Sequence, residues 1–124
     1  GTADQPITLK AETRGKVLVT GRSNLRLAGK HLVVSGLVFR DGHSPRNPVI
    51  SFRASEEELA FHSRVTEVVI DGFNKPERLN QDSWVTLAGK HNRLDHNYFA
   101  GKSNRGVTIG VQLHNRAGSG MVNI

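Results

Sequence analysis

Lys102 and Arg105 bracket Ser103-Asn104 in the stretch Gly101-Lys102-Ser103-Asn104-Arg105. Two cations in one turn can grip carboxylates, Arg through a planar two-point contact and Lys as a point charge. The competing reading is a solvated loop, since the chain carries 17 Lys and Arg in all. A few residues earlier, Arg93, Asp95 and His96 surround Leu94. If Leu94 points inward on a short strand, Arg93 and Asp95 share the outer face and can pair, with His96 at the turn. An imidazole beside a carboxylate suits a general base or a metal ligand, and it equally suits a hydrogen bond to turn backbone. One His and one Asp are too few for a metal site, so no zinc or calcium is assigned.

Trp84 and Tyr98 are the only aromatics other than Phe. If Val85 and Leu87 are core, alternation turns Trp84 outward as a platform for a flat ring; packing beneath the long 43–62 segment would bury it instead. Asn92, Asn97 and Asn104 read as turn formers or stacked amides rather than as chemistry.

The elements that must hold these residues are strands. Val107, Ile109, Val111 and Leu113 alternate with Thr108, Gly110 and Gln112, Ile7 and Leu9 alternate with Thr8 and Lys10, and Leu25 and Leu27 flank Arg26. Turn chemistry recurs between them, at Gly21-Arg22-Ser23-Asn24, Asp41-Gly42 and Asp71-Gly72. The best helix candidate, 54–62, has too few apolar residues and is expected to be a loop with at most one helical turn capped by Ser55.

With 124 residues the chain is expected to be one domain with a real core. The absence of cysteine excludes disulfides, thiolate metal sites and a thiol nucleophile. No apolar run exceeds three residues, so no membrane segment is expected. A net charge of +6 and a pI near 10.3 predict attraction to polyanions. Dispersed basic residues and few aromatics argue against nucleic acid.

Leu27-Ala28-Gly29-Lys30-His31 recurs as Leu87-Ala88-Gly89-Lys90-His91, and an aromatic follows eight residues after each His, Phe39 and Phe99. A weaker echo joins Val34-Ser35-Gly36, Ile70-Asp71-Gly72 and Leu94-Asp95-His96. Repeated strand–turn–strand units suggest stacked coils, a right-handed parallel β-helix of about five coils at roughly two dozen residues each, with Val34, Leu94, Ile109 and Val111 inside. An antiparallel β-sandwich is the alternative, but it leaves the repeated segment unexplained.

Three stretches, GTADQPITLKAETRGKVLVTGRSNLRLAGKHLVVSGLVFRDG at 1–42, SRVTEVVIDGFNKPER at 63–78 and WVTLAGKHNRLDHNYFAGKSNRGVTIGVQL at 84–113, resemble family-six polysaccharide lyases, the alginate lyase and chondroitinase B group. HNRLDHNYFAGKSNRG is the most specific run, and the alginate lyase branch is the nearer. The likeness fades after Leu113, leaving 114–124 as a divergent tail of a single partial β-helix domain, 1–124.

What the resemblance implies is a parallel β-helix and β-elimination on an acidic, uronic-acid polysaccharide by a secreted or periplasmic enzyme. Lys102, Arg105, His96, Trp84 and Tyr98 become the candidate contacts to the sugar. Similar lyases use calcium on the uronate carboxylate, a Lys base and an Arg acid, drawn from coils beyond the matched stretch. The expectation is therefore an internal piece of a longer lyase, inactive alone, with no cofactor of its own, or else a polysaccharide-binding solenoid without catalysis. Uncapped coil ends would favour self-association.

Overall fold

The structure, a computed structural model, describes residues 1–112, and these form strands and turns without a helix. The first coil runs through β1 (Ile7–Lys10), β2 (Val17–Arg22), β3 (Leu25–Arg26) and β4 (Gly29–Lys30). The second runs through β5 (Leu32–Ser35), β6 (Leu37–His43), β7 (Ile50–Ser51) and β8 (Ala60–Phe61). The third holds β9 (Arg64–Thr66), β10 (Val69–Asp71) and β11 (Val85–Leu87), and the fourth β12 (Arg93–Asp95), β13 (Tyr98–Ala100) and β14 (Ile109–Val111).

Each strand pairs with its counterpart one coil away, in the orders β1-β5-β9-β12, β13-β10-β6-β2 and β14-β11-β7-β3, with β4-β8 as a short fourth sheet. All these ladders are parallel, which excludes the sandwich. The fold is a parallel β-helix, and for such crossovers the right-handed sense is the rule.

Coil length differs from the expectation. Leu9 pairs with Val34, Val34 with Val65 and Val65 with Leu94, so successive coils take 25, 31 and 29 residues: the first meets the two dozen expected and the next two exceed it. The three main sheets accordingly hold four strands, not five. The 60-residue recurrence of LAGKH is thus two coils, and its middle copy is Ala60-Phe61-His62, with Gly29 paired to Ala60 and Lys30 to Phe61. The weaker echo does not survive as drawn. Ile70 lies on the second sheet over Phe39, whereas the corner equivalent of Gly36 and His96 is Glu67, and both of those non-glycine residues share its positive φ.

The core consists of stacked columns. Val34, Val65 and Leu94 line one wall, Phe39, Ile70 and Phe99 the second, and Leu25, Ile50 and Val85 the third. Val34 is buried and Leu94 half-buried, as expected. Ile109 and Val111 are not: they keep register with Val85 and Leu87 but remain 46% and 51% exposed. The cause is axial, because β14 is the last strand of its sheet among the described residues and only one side of its columns is covered.

Asparagines join one coil to the next. Asn92 is buried, accepts from the Ser63 N–H and donates to the Ala60 and Ala88 carbonyls. Asn97 likewise accepts from Val68 N–H and donates to Val65 O, and Asn104 accepts from Lys75 N–H and donates to the carbonyls of Lys75 and Glu77. Segment 54–59 makes no helical turn. Ser55 and Glu58 close a tight hairpin through reciprocal bonds, and Arg53 fills it by donating to the Ser55 and Glu56 carbonyls.

Candidate functional site

The outer face of the first sheet carries a cluster of charged side chains around Asp95. Because Val65 and Leu94 point inward, their neighbours Arg64, Arg93 and Asp95 point out together. Arg64 donates to both carboxylate oxygens of Asp95, at 2.8 and 2.6 Å, and Arg93 lies 3.3 Å from Oδ2. The pairing expected between Arg93 and Asp95 is therefore present but secondary; Arg64, one coil below, is the principal partner. Nδ1 of His96 lies 2.7 Å from the same Oδ2. The Arg64 hydrogen bonds hold the Asp95 carboxyl well below the usual carboxylate range, against the opposing effect of burial, with His96 and Arg93 adding to the shift.

His96 turns the chain from this sheet into β13, and its positive φ points the ring around the corner. Nearby stands Tyr98, a residue 63% exposed. The two share a cleft of about 240 Å³ with Arg14 and Glu67, floored by Val38 and Val69. Arg14 donates to Glu67 at 2.7 Å across the mouth. The cleft therefore combines an aromatic face with an imidazole held by Asp95 and a guanidinium held by Glu67, so an entering carboxylate exchanges with a resident one.

The other expected residues lie elsewhere. Lys102 does not reach out: its ammonium donates to the carbonyls of Asn104 and Arg105 at 2.7 and 3.3 Å, tying the turn closed. Burial pushes its pKa down, while nearby Asp82 acts the other way. Arg105 is exposed, with its backbone fixed by bonds from Asp82 N–H and to Arg78 O. It stands beyond the end of β13 and outside the Tyr98 cleft.

Trp84 is fully buried and packs edge-on to Phe99, so the outward reading is wrong. Both Trp84 and Val85 aim their N–H groups at the Thr108 carbonyl, at 3.2 and 2.9 Å. Two residues opposite one break the alternation at the head of β11, and both side chains turn in.

Sequence reasoning missed Arg64, Arg14 and Glu67. Arg64 was accessible in principle, since it lies one 29-residue coil before Arg93 in the same register. Asp82 was also missed. Its carboxylate is buried with no hydrogen-bond partner among the described residues. Burial raises its pKa despite Lys75, Lys102 and His43.

Stacked parallel coils with basic outer faces define the class: a parallel β-helix protein. The chondroitinase B family profile matches residues 1–119. The chain belongs to that family. It is 57% identical to the PL6 family alginate lyase AlyGC, with a TM-score of 0.92 over 96% of this chain and 16% of that one. A mannuronic acid specific polysaccharide family 6 lyase from human gut microbiota is 32% identical, with a TM-score of 0.88 over 93% of this chain and 27% of that one. The PL6 family polysaccharide lyase Pedsa3628 from Pseudopedobacter saltans is also 32% identical, with a TM-score of 0.82 over 92% of this chain and 25% of that one. No curated protein sequence matches. The chain thus spans about a sixth to a quarter of the length of these solved relatives.

Proposed function

We propose that this chain is part of a polysaccharide lyase that cleaves an alginate-like polyuronate by β-elimination outside the cytoplasm, and that its own share is to hold the polymer. The observation that carries the reading is 57% identity to an alginate lyase across 96% of this chain. The Tyr98 cleft is consistent with it, since a sugar ring can lie on the exposed phenol while its carboxylate competes with Glu67 for Arg14.

β-Elimination needs three things: neutralisation of the uronate carboxylate, a base for the C5 proton and an acid for the leaving oxygen. Lys102 is committed to two carbonyls and His96 to Asp95, so neither is placed as a free base. Calcium, which similar lyases use on the carboxylate, does not fit here. No group of three metal-binding side chains gathers among the described residues, and Arg64 already occupies both oxygens of Asp95.

Affinity electrophoresis through polymannuronate tests the reading. Tyr98→Ala should lose most of the retardation, and Arg14→Ala more than Arg46→Ala, a change of equal charge outside the cleft. Equal losses at Arg14 and Arg46 would mean that net charge does the binding and would overturn the cleft assignment.

A further inference from the structure

A second basic strip lies at the corner that leads into the first sheet. His31, His62 and His91 occupy the same position in three successive coils, with ring centroids 5.0 and 4.8 Å apart and interplanar angles of 13° and 20°. All three have positive φ, between 51° and 57°, so each coil turns at its histidine and presents the ring to the one above. Beside them Lys30 pairs with Phe61, and Phe61 bridges to Lys90. These six residues line a cavity of about 470 Å³, and none of them is a carboxylate.

Several arginines have a carboxylate partner: Arg14 has Glu67, and Arg64 and Arg93 share Asp95. Here the surroundings add positive charge instead. Arg64 and Arg93, which follow His62 and His91 by two residues, share the single carboxylate of Asp95 and leave a positive excess. Loss of water around the stacked rings, then the charges of His91, His31 and Lys30, hold the pKa of His62 below its ordinary 6.5. An anion along the ring edges would supply the missing counter-charge, and would do so most strongly when the rings carry protons. A linear polymer with an anionic group on every unit can follow a row that offers a donor on every coil.

We propose that the His31–His62–His91 corner, with Lys30 and Lys90, is a second binding site for the carboxylates of an acidic polysaccharide, separate from the Tyr98 cleft and tighter below neutral pH. The identity of the polymer as a polyuronate rests on the function proposed above.

The test is calorimetric titration of the 124-residue chain with short oligomannuronates at pH 7.5 and 5.5 and constant salt. It is repeated on His62→Asn/Lys90→Gln and, as a histidine outside both clefts, on His43→Asn, Asn being chosen at 62 because it tolerates the left-handed backbone there. Affinity of the unmodified chain should rise several-fold on acidification. The rise should vanish in the double variant and persist in His43→Asn.

A rise that survives the double variant, or no rise at all, overturns this site, while binding at pH 7.5 leaves the polyuronate reading standing. Binding confined to pH 5.5 and lost in the double variant supports the corner and counts against the cleft. No binding at either pH overturns both. Should the double variant fail to fold, imidazole NMR signals of the unmodified chain decide: shifts at His31, His62 and His91 on adding oligomannuronate support the site, and unmoved signals overturn it.

Discussion

Asp82 and Asp95 show how environment sets opposite behaviour for one residue type. Asp95 accepts two bonds from Arg64, so its stabilising contribution is present above the ordinary carboxylate pKa of 3.8 and is lost as pH falls through and below that value. Asp95→Asn should therefore flatten the acid limb of a pH–Tm curve below about pH 4; an unchanged limb would mean the pair contributes nothing. Asp82 is buried without a hydrogen-bond partner among the described residues and its pKa is raised, so its charge costs stability as pH rises above 3.8. Asp82→Asn should raise stability by about 1 to 2 kcal/mol at pH 7, read from urea melts. A loss would show that its attraction to Lys75 and Lys102 outweighs its desolvation. At this scale the sequence was only partly legible. Residue type and local spacing brought Arg93, Asp95 and His96 together, but nothing local distinguishes Arg64 as the main partner, because it lies a coil away, and nothing in residue type tells that Lys102 folds back onto the carbonyls of its own turn.

At the scale of the coil, stability comes from vertical stacking and from asparagines that bond to the coil beneath. Ile70 has neighbours above and below and is fully buried, so Ile70→Ala should cost about 2 to 5 kcal/mol. Ile109→Ala, at a half-covered column end, should cost less than half of that. Equal costs in chemical denaturation would contradict the register. Asn92→Ala strands one N–H and two carbonyls in the interior and should cost about 1 to 3 kcal/mol per group left unpaired. Gly89→Ala should be worse tolerated than Gly29→Ala. Both have positive φ, but a Cβ at 89 would fall 1.8 Å from the Ala60 carbonyl oxygen, whereas at 29 it meets open space. The repeated LAGKH segment made the solenoid legible. It misled on coil length, because the middle copy reads Ala60-Phe61-His62 and only the shared histidine survives there. Trp84 was illegible for a different reason: alternation presumes an unbroken strand, and the doubled N–H contact to Thr108 breaks it.

For the molecule as a whole, the first coil exposes Ile7, Leu9, Val17 and Leu18, and the last described coil Val107, Ile109 and Val111. The isolated chain should therefore associate at high concentration, so sedimentation velocity across a hundredfold range should show a rising average mass; a fixed monomer would show that these faces are covered. Mixed with polymannuronate, the isolated chain should produce no unsaturated ends by ultraviolet absorbance. Calcium-dependent turnover would return base and acid to His96, Lys102 or Arg105. The central claim is that the chain holds a polyuronate through a specific charged and aromatic surface. Calorimetry of the folded 124-residue chain with oligomannuronate and with a neutral mannan of equal length, at two salt concentrations, tests it most directly. Binding to the uronate alone, weakening as salt rises because exposed charges are screened, is the result expected; a folded chain that binds neither, or both equally, would contradict the account.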